Sequence, residues 1–168
     1  MMGNLHIGID PSYTNTGVIV IDDDGKVFHQ FCCQAQRKAK GNEAYRPVDL
    51  LLDMIRELSF IKIQIAKKRD FHVMIEYPMS SFRGGASSKV NEAFASCACS
   101  VSIVFGFNAR ICYPPQWKSY IGAKHMANMK IVKAFMDDKY QMEFPNLDLY
   151  SAYGIALYLR GKILKVGS

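Results

Sequence analysis

The chain has 168 residues, 49% of them hydrophobic, which excludes a disordered tail or a fibrous repeat and predicts one compact domain over residues 1–168. Its 21 lysines and arginines outnumber 15 aspartates and glutamates, and the net charge of +6 favours an anionic partner such as nucleic acid or a membrane surface. The five cysteines form no CxxC pair and have no His or Cys at ligand spacing, so free thiols in a reducing compartment are expected rather than zinc. Neither a signal peptide nor a bilayer-length apolar run is present, which predicts a cytoplasmic protein without membrane association.

The first predicted strand, residues 5–10, is apolar and ends in Asp10. A polar turn, Pro11-Ser12-Tyr13-Thr14-Asn15, leads into a second strand over 16–22. Asp24-Gly25 between apolar runs signals a hairpin into a third strand over 26–34, whose imperfect alternation suits a sheet edge. Residues 36–46 are polar and basic and read as a loop, either solvated or touching phosphate. Residues 47–68 carry Val48, Leu51, Leu52, Ile55, Leu58, Ile61 and Ile65 at helical spacing, with Pro47 in the first turn.

A fourth strand, residues 71–76, ends in Glu76 and is stopped by Tyr77-Pro78. The long helix before it makes a parallel crossover pairing with the first strand plausible, which would bring Asp10 and Glu76 out at the same end. A loop over 79–88 precedes a helix over 89–105 with Ser87 or Ser88 as its N-cap. That helix is apolar nearly all round, so it is expected to be buried on more than one side, centrally or against a second subunit. A fifth strand, residues 109–113, is closed by Pro114-Pro115, and helices follow over about 128–137 and from 147 or 148 to 164. Between Arg110 and Met136 lie Arg110, Lys118, Lys124, Lys130 and Lys133 and no acid. With Trp117, Tyr120 and His125 interleaved, this segment reads as a nucleic-acid surface. The element order predicts a mixed five-stranded sheet with helices on its faces.

Asp10 ends the first strand, Glu76 ends the fourth and Asp148 opens the last helix. Each alone reads equally as a turn or cap residue. Together, in a basic chain, they suit Mg²⁺ or Mn²⁺, hard ions that prefer carboxylates and keep positions open for phosphate. A pair of such ions about 4 Å apart can activate water and stabilise the leaving oxygen of a phosphodiester.

Gly8-Ile9-Asp10-Pro11-Ser12, Thr16-Gly17, Ile75-Glu76-Tyr77-Pro78 and Asp148-Leu149-Tyr150-Ser151-Ala152, in this order, resemble the RuvC-type Holliday junction resolvases of the ribonuclease H-like superfamily, in a short form similar to those of bacteriophages. The resemblance implies a ribonuclease H-like α/β fold, a five-stranded mixed sheet with helices on both faces. It implies a homodimer that nicks four-way DNA junctions in symmetric pairs by Mg²⁺- or Mn²⁺-dependent hydrolysis. Asp10, Glu76 and Asp148 would be the metal ligands, with Lys118 and Lys130 as basic residues of the active region. The loop around Met79 to Arg83 would probe the junction, with Phe82 or Met79 wedged at the crossover and Arg83 and Lys89 on DNA, and the helix at 89–105 would form the dimer contact. The remaining DNA contacts are expected from Arg110, Trp117, Lys124 and Lys133.

One position departs from that pattern: Ser151 stands where a further acid is expected three residues after Asp148. Either the native protein manages with three acids, or the chain is a variant, or it binds junctions without cutting them efficiently. A branched-DNA or flap nuclease of low selectivity is a further alternative. An actin-like ATPase shares the first turn but needs two such domains to enclose a nucleotide.

Overall fold

The computed structural model describes residues 3–34, 46–65, 69–78 and 86–166. Within them the chain runs β1 (Leu5–Asp10), β2 (Asn15–Asp22), β3 (Val27–Gln34), α1 (Arg46–Phe60), β4 (Phe71–Glu76), α2 (Ala86–Phe105), β5 (Arg110–Cys112), α3 (Pro114–Ile121), α4 (Met129–Tyr140) and α5 (Leu147–Val166). A π-helical turn, Ile61–Ile65, prolongs α1, and its Lys62 donates to the Val104 carbonyl near the end of α2.

The sheet order is β3-β2-β1-β4-β5. The strands β1, β2 and β3 form an antiparallel meander, while β4 joins β1 in parallel and β5 joins β4 in parallel. The predicted crossover pairing and the edge position of β3 are both present. Ile9 pairs with Ile75, so Asp10 and Glu76 follow side by side at the same end of neighbouring strands.

Both faces of the sheet are covered, which is why β2 reads as an unbroken apolar run, Val18 to Ile21. Alternate residues sort to opposite cores. Leu5, Ile7, Ile9, Val18, Val20, Val73 and Ile75 pack toward α1 and α2. Ile19, Ile21, Met74 and Cys112 pack toward α3, α4 and α5. By the same alternation His6, Gly8 and Asp10 of β1, Asn15 and Gly17 of β2, and Glu76 of β4 belong to the α5 face.

The α5 backbone lies directly on the sheet at two glycines. A methyl group at Gly8 would clash with the Ala152 carbonyl oxygen and stand 2.6 Å from the Ala156 nitrogen. One at Gly17 would stand 2.5 Å from the Asp148 carbonyl oxygen. At the far end, Arg160 Nε donates 2.5 Å to the Asp23 carbonyl, while the Asp23 carboxylate takes Asn4 N at 2.7 Å and His6 Nε2 at 2.8 Å. Thus α5 is pinned at both ends of the sheet, and every residue from Leu149 to Leu157 is buried.

Two expectations are corrected. Pro114 and Pro115 open a helix, α3, that the sequence reading did not assign; proline suits the first helical turn because its missing N–H would have no partner there. Ser87 and Ser88 lie inside the first turn of α2, which starts at Ala86, so neither is its N-cap. Within the single chain α5 is enclosed all round, whereas α2 keeps one face open, the face that an expected second subunit would cover. On α2, Ser96 and Ser100 face α1 and donate to the carbonyls of Pro47 and Leu51, while Ala95, Cys99 and Ile103 are exposed. Cys33, Cys97 and Cys112 are buried free thiols, Cys32 is half-buried and Cys99 is exposed. Among the described residues no helix is long and apolar enough to cross a membrane.

The substitution Gly8→Ala is expected to destabilise the protein by at least about 2 kcal/mol, because the neighbour it meets is helix backbone that cannot rotate away. Urea unfolding measures this, and a wild-type midpoint would contradict the close packing of α5 on β1.

Candidate metal centre

The sheet and α5 assemble the acidic end from opposite sides. Asp10 is directly paired with Gly17 across the β1–β2 ladder. Gly17 in turn lies under the backbone of Asp148, so the absence of a side chain there brings the α5 N-terminus over Asp10. The helix start is fixed by Asn146, whose Oδ1 accepts the Leu149 N–H at 3.0 Å and whose Nδ2 points at Cys32 Sγ, also 3.0 Å away. Asp148 therefore sits in the first turn of α5, and Ser151 follows one turn later, on the same side of the helix.

Asp10, Glu76 and Asp148 are each half-buried. Burial, then the neighbouring charges of Glu76 and Asp148, pushes the Asp10 carboxyl well above the usual carboxylate range. A hydrogen bond from Ser151 and the Lys118 ammonium act the other way. Burial also raises Glu76, opposed by a hydrogen bond from the Trp117 indole and by Lys118. Burial raises Asp148, opposed by a hydrogen bond from the Asn15 side chain. Three carboxyl groups thus crowd a poorly solvated corner, an arrangement that costs stability.

Their oxygens are hard donors and suit Mg²⁺ or Mn²⁺ in charge and chemistry. Among the described residues, however, no group of three His, Cys, Asp or Glu side chains is already gathered around a common ion position. Glu76 is engaged by Trp117 and Asp148 by Asn15, so the acids converge without closing. Ser151 is buried, and its hydroxyl also lies 3.9 Å from Met129 Sδ at the start of α4. It occupies the corner as a donor to Asp10 rather than as a further anionic ligand.

The other predicted residues divide. Lys118 joins the acids: it is half-buried, acts on both Asp10 and Glu76, and reaches the Met126 carbonyl at 3.5 Å. Lys130, adjacent to Met129 in the first turn of α4, is exposed. Lys124 and Arg110 are exposed. Lys89 stands over the ring of Tyr13, 5.2 Å from its centroid, in the turn that follows Asp10. Lys133 is paired with Asp137 at 2.5 Å, which compensates its charge locally. Trp117 is corrected outright: at 1% exposure it cannot stack on a nucleic-acid base. Its ring packs over Gly154 of α5, where a methyl group would stand 2.5 Å from the indole, and its N–H serves Glu76. Met79, Phe82 and Arg83 lie outside the described residues, as does the basic loop at 36–45.

The sequence reading missed Asn15. Strand alternation carries the signal, since Asn15 is two residues before Gly17 and therefore shares its face.

The substitution Asp10→Asn removes one of the crowded charges at little change in shape. In metal-free buffer near neutral pH it is expected to raise the urea midpoint. Asp10 takes up its proton at a higher pH in the folded chain than in the unfolded one, so the native charge is a cost that asparagine lifts. A lowered midpoint would contradict the crowding.

The chain aligns with the Thermus thermophilus RuvC structure at a TM-score of 0.70 and 18% sequence identity, covering 97% of this chain and 96% of that one. It aligns with T. thermophilus RuvC in complex with Holliday junction substrate at a TM-score of 0.70 and 14% identity, covering 95% and 96%. No protein-family model and no curated protein matches the sequence. The likeness is therefore one of architecture, and with the five-stranded mixed sheet it establishes the ribonuclease H-like α/β fold.

Proposed function

We propose that this chain is a divalent-metal-dependent endonuclease that cuts branched DNA, with the four-way junction as its preferred substrate. The observation that carries the reading is the convergence of Asp10, Glu76 and Asp148, with Lys118 beside them, at one end of the sheet. The fold is shared with a RuvC solved in complex with Holliday junction substrate, and that supports the choice of DNA.

Asp10 would be the central ligand, with Glu76 and Asp148 on either side. The bound ions, Mg²⁺ or Mn²⁺, would neutralise the scissile phosphate and lower the pKa of the attacking water. The chain's own groups do the rest. Trp117 orients Glu76 from a buried position. Lys118 brings a positive charge to the corner and can neutralise a phosphate oxygen as negative charge develops. The Ser151 hydroxyl donates to Asp10 and limits its repulsion from the other acids. Lys124 and Lys130, both exposed, together with Arg110 and Lys89, would take the phosphate backbone on either side.

Paired nicks across a junction need two such sites. The exposed Ala95, Cys99 and Ile103 of α2 form an apolar outward stripe, on which a second copy would dock. The second reading is a junction-binding protein with weak cleavage. It is favoured by Ser151, which adds a hydroxyl where a carboxylate would strengthen ion binding. A less selective flap nuclease would share the same chemistry.

Asp10→Asn and Glu76→Gln are each expected to reduce junction cutting at least about a hundredfold while leaving junction binding within about threefold of wild type. Gel-shift and cleavage assays on one junction measure both, and full cutting by either variant would overturn the site assignment. Salt dependence tests the basic surface separately. Lys124→Ala should lower the slope of log affinity against log salt by about one, whereas Lys133→Ala should leave it nearly unchanged because Asp137 already compensates that charge. Equal slopes for the two variants would count against this division.

A further inference from the structure

Asn15 opens β2 and is held from both sides. Its backbone pairs with Gln34 of β3, and the adjacent Thr16 hydroxyl closes the preceding turn by donating to the Ser12 carbonyl at 3.0 Å. The Ser12 N–H returns to the same hydroxyl at 3.2 Å. The side chain lies on the α5 face, two residues before the glycine beneath Asp148, and hydrogen-bonds the Asp148 carboxylate. A carboxylate can only accept from an amide, so Nδ2 faces Asp148. Oδ1 is then left buried, with no hydrogen-bond donor among the described residues. A buried carbonyl oxygen without a donor is costly and uncommon, and in a corner of three acids it is a neutral hard-oxygen acceptor awaiting a partner.

From this we infer that Asn15 is a positioning residue of the metal centre. Its Nδ2 holds Asp148, and its Oδ1 accepts from a water carried by the cation, adding a polar contact in a site where Ser151 brings no carboxylate. The inference depends on the metal-centre reading above. Partners that orient ligands and their waters change metal affinity by about 10–100-fold when removed.

The test is Mn²⁺ binding to the metal-free full chain, followed by electron paramagnetic resonance without DNA, for wild type, Asn15→Ala, Asn15→Asp and Asp10→Asn. Asn15→Ala should weaken Mn²⁺ binding about tenfold or more. Asn15→Asp keeps an acceptor oxygen and loses the amide donor, and should bind Mn²⁺ more tightly than Asn15→Ala. In cleavage assays the alanine variant should need more metal yet recover most of its rate at saturation. If Asn15→Ala binds Mn²⁺ like wild type while Asp10→Asn does not bind it, the Asn15 inference fails and the metal centre stands. If Asn15→Asp weakens together with Asn15→Ala, only the amide donor matters and the Oδ1 role is wrong. If wild type and Asp10→Asn both fail to bind Mn²⁺, the metal-centre reading itself fails.

Discussion

The direct seating of α5 on Gly8 and Gly17 is the constraint on which the rest of this structure depends. Side chains normally hold a helix several ångströms above a sheet. Here two strand residues without side chains let helix backbone touch strand backbone. That approach buries the N-terminal half of α5 on every side and sets its height over the sheet. The same contact places Asp148 over the β1–β2 pair that contains Asp10. The Arg160–Asp23 contact at the other end keeps α5 from sliding along the strands. One packing interaction therefore supplies both the core and the geometry of the acidic corner.

That corner is built against stability. Burial and mutual repulsion raise the carboxyl groups of Asp10, Glu76 and Asp148, and the remedies are partial. Trp117 holds Glu76, Asn15 holds Asp148 and Ser151 donates to Asp10, each from a fixed backbone position. Such contacts orient the carboxylates without neutralising them, an arrangement that suits the proposed cation. The indole of Trp117 shows the economy of the layout, since one buried side chain fills the space over Gly154 and also orients an acid on β4.

Much of this was legible in the residues. The apolar runs ending in Asp10 and Glu76, the Asp-Gly hairpin and the long helix between β3 and β4 together encode the sheet order, because each signal is local or follows from chain connectivity. Pro114-Pro115 misled because proline stops a strand and starts a helix with equal ease. The difference lies in the residues after it, where Gln116 returns its side chain to the Tyr113 N–H at 2.8 Å. Trp117 read as a surface residue because it lies among lysines, and only the glycine on α5 opposite it shows that its ring is buried. Likewise α2 and α5 have similar apolar compositions, so their sequences alone do not separate the helix enclosed by the fold from the one with an open face. The motif order singled out Asp10, Glu76, Asp148 and Lys118, which the fold brings to one corner, whereas Asn15 required knowing which strand face lies beneath α5.

The most direct measurement of the central claim uses a synthetic four-way DNA junction with each strand end-labelled in turn, incubated with the protein and Mg²⁺ or Mn²⁺. Paired nicks are expected at symmetric positions near the crossover, dependent on the metal and abolished by chelation. Tight binding to the junction with no nick in any strand under either metal would contradict the claim, and would leave the acidic corner as part of a binding protein.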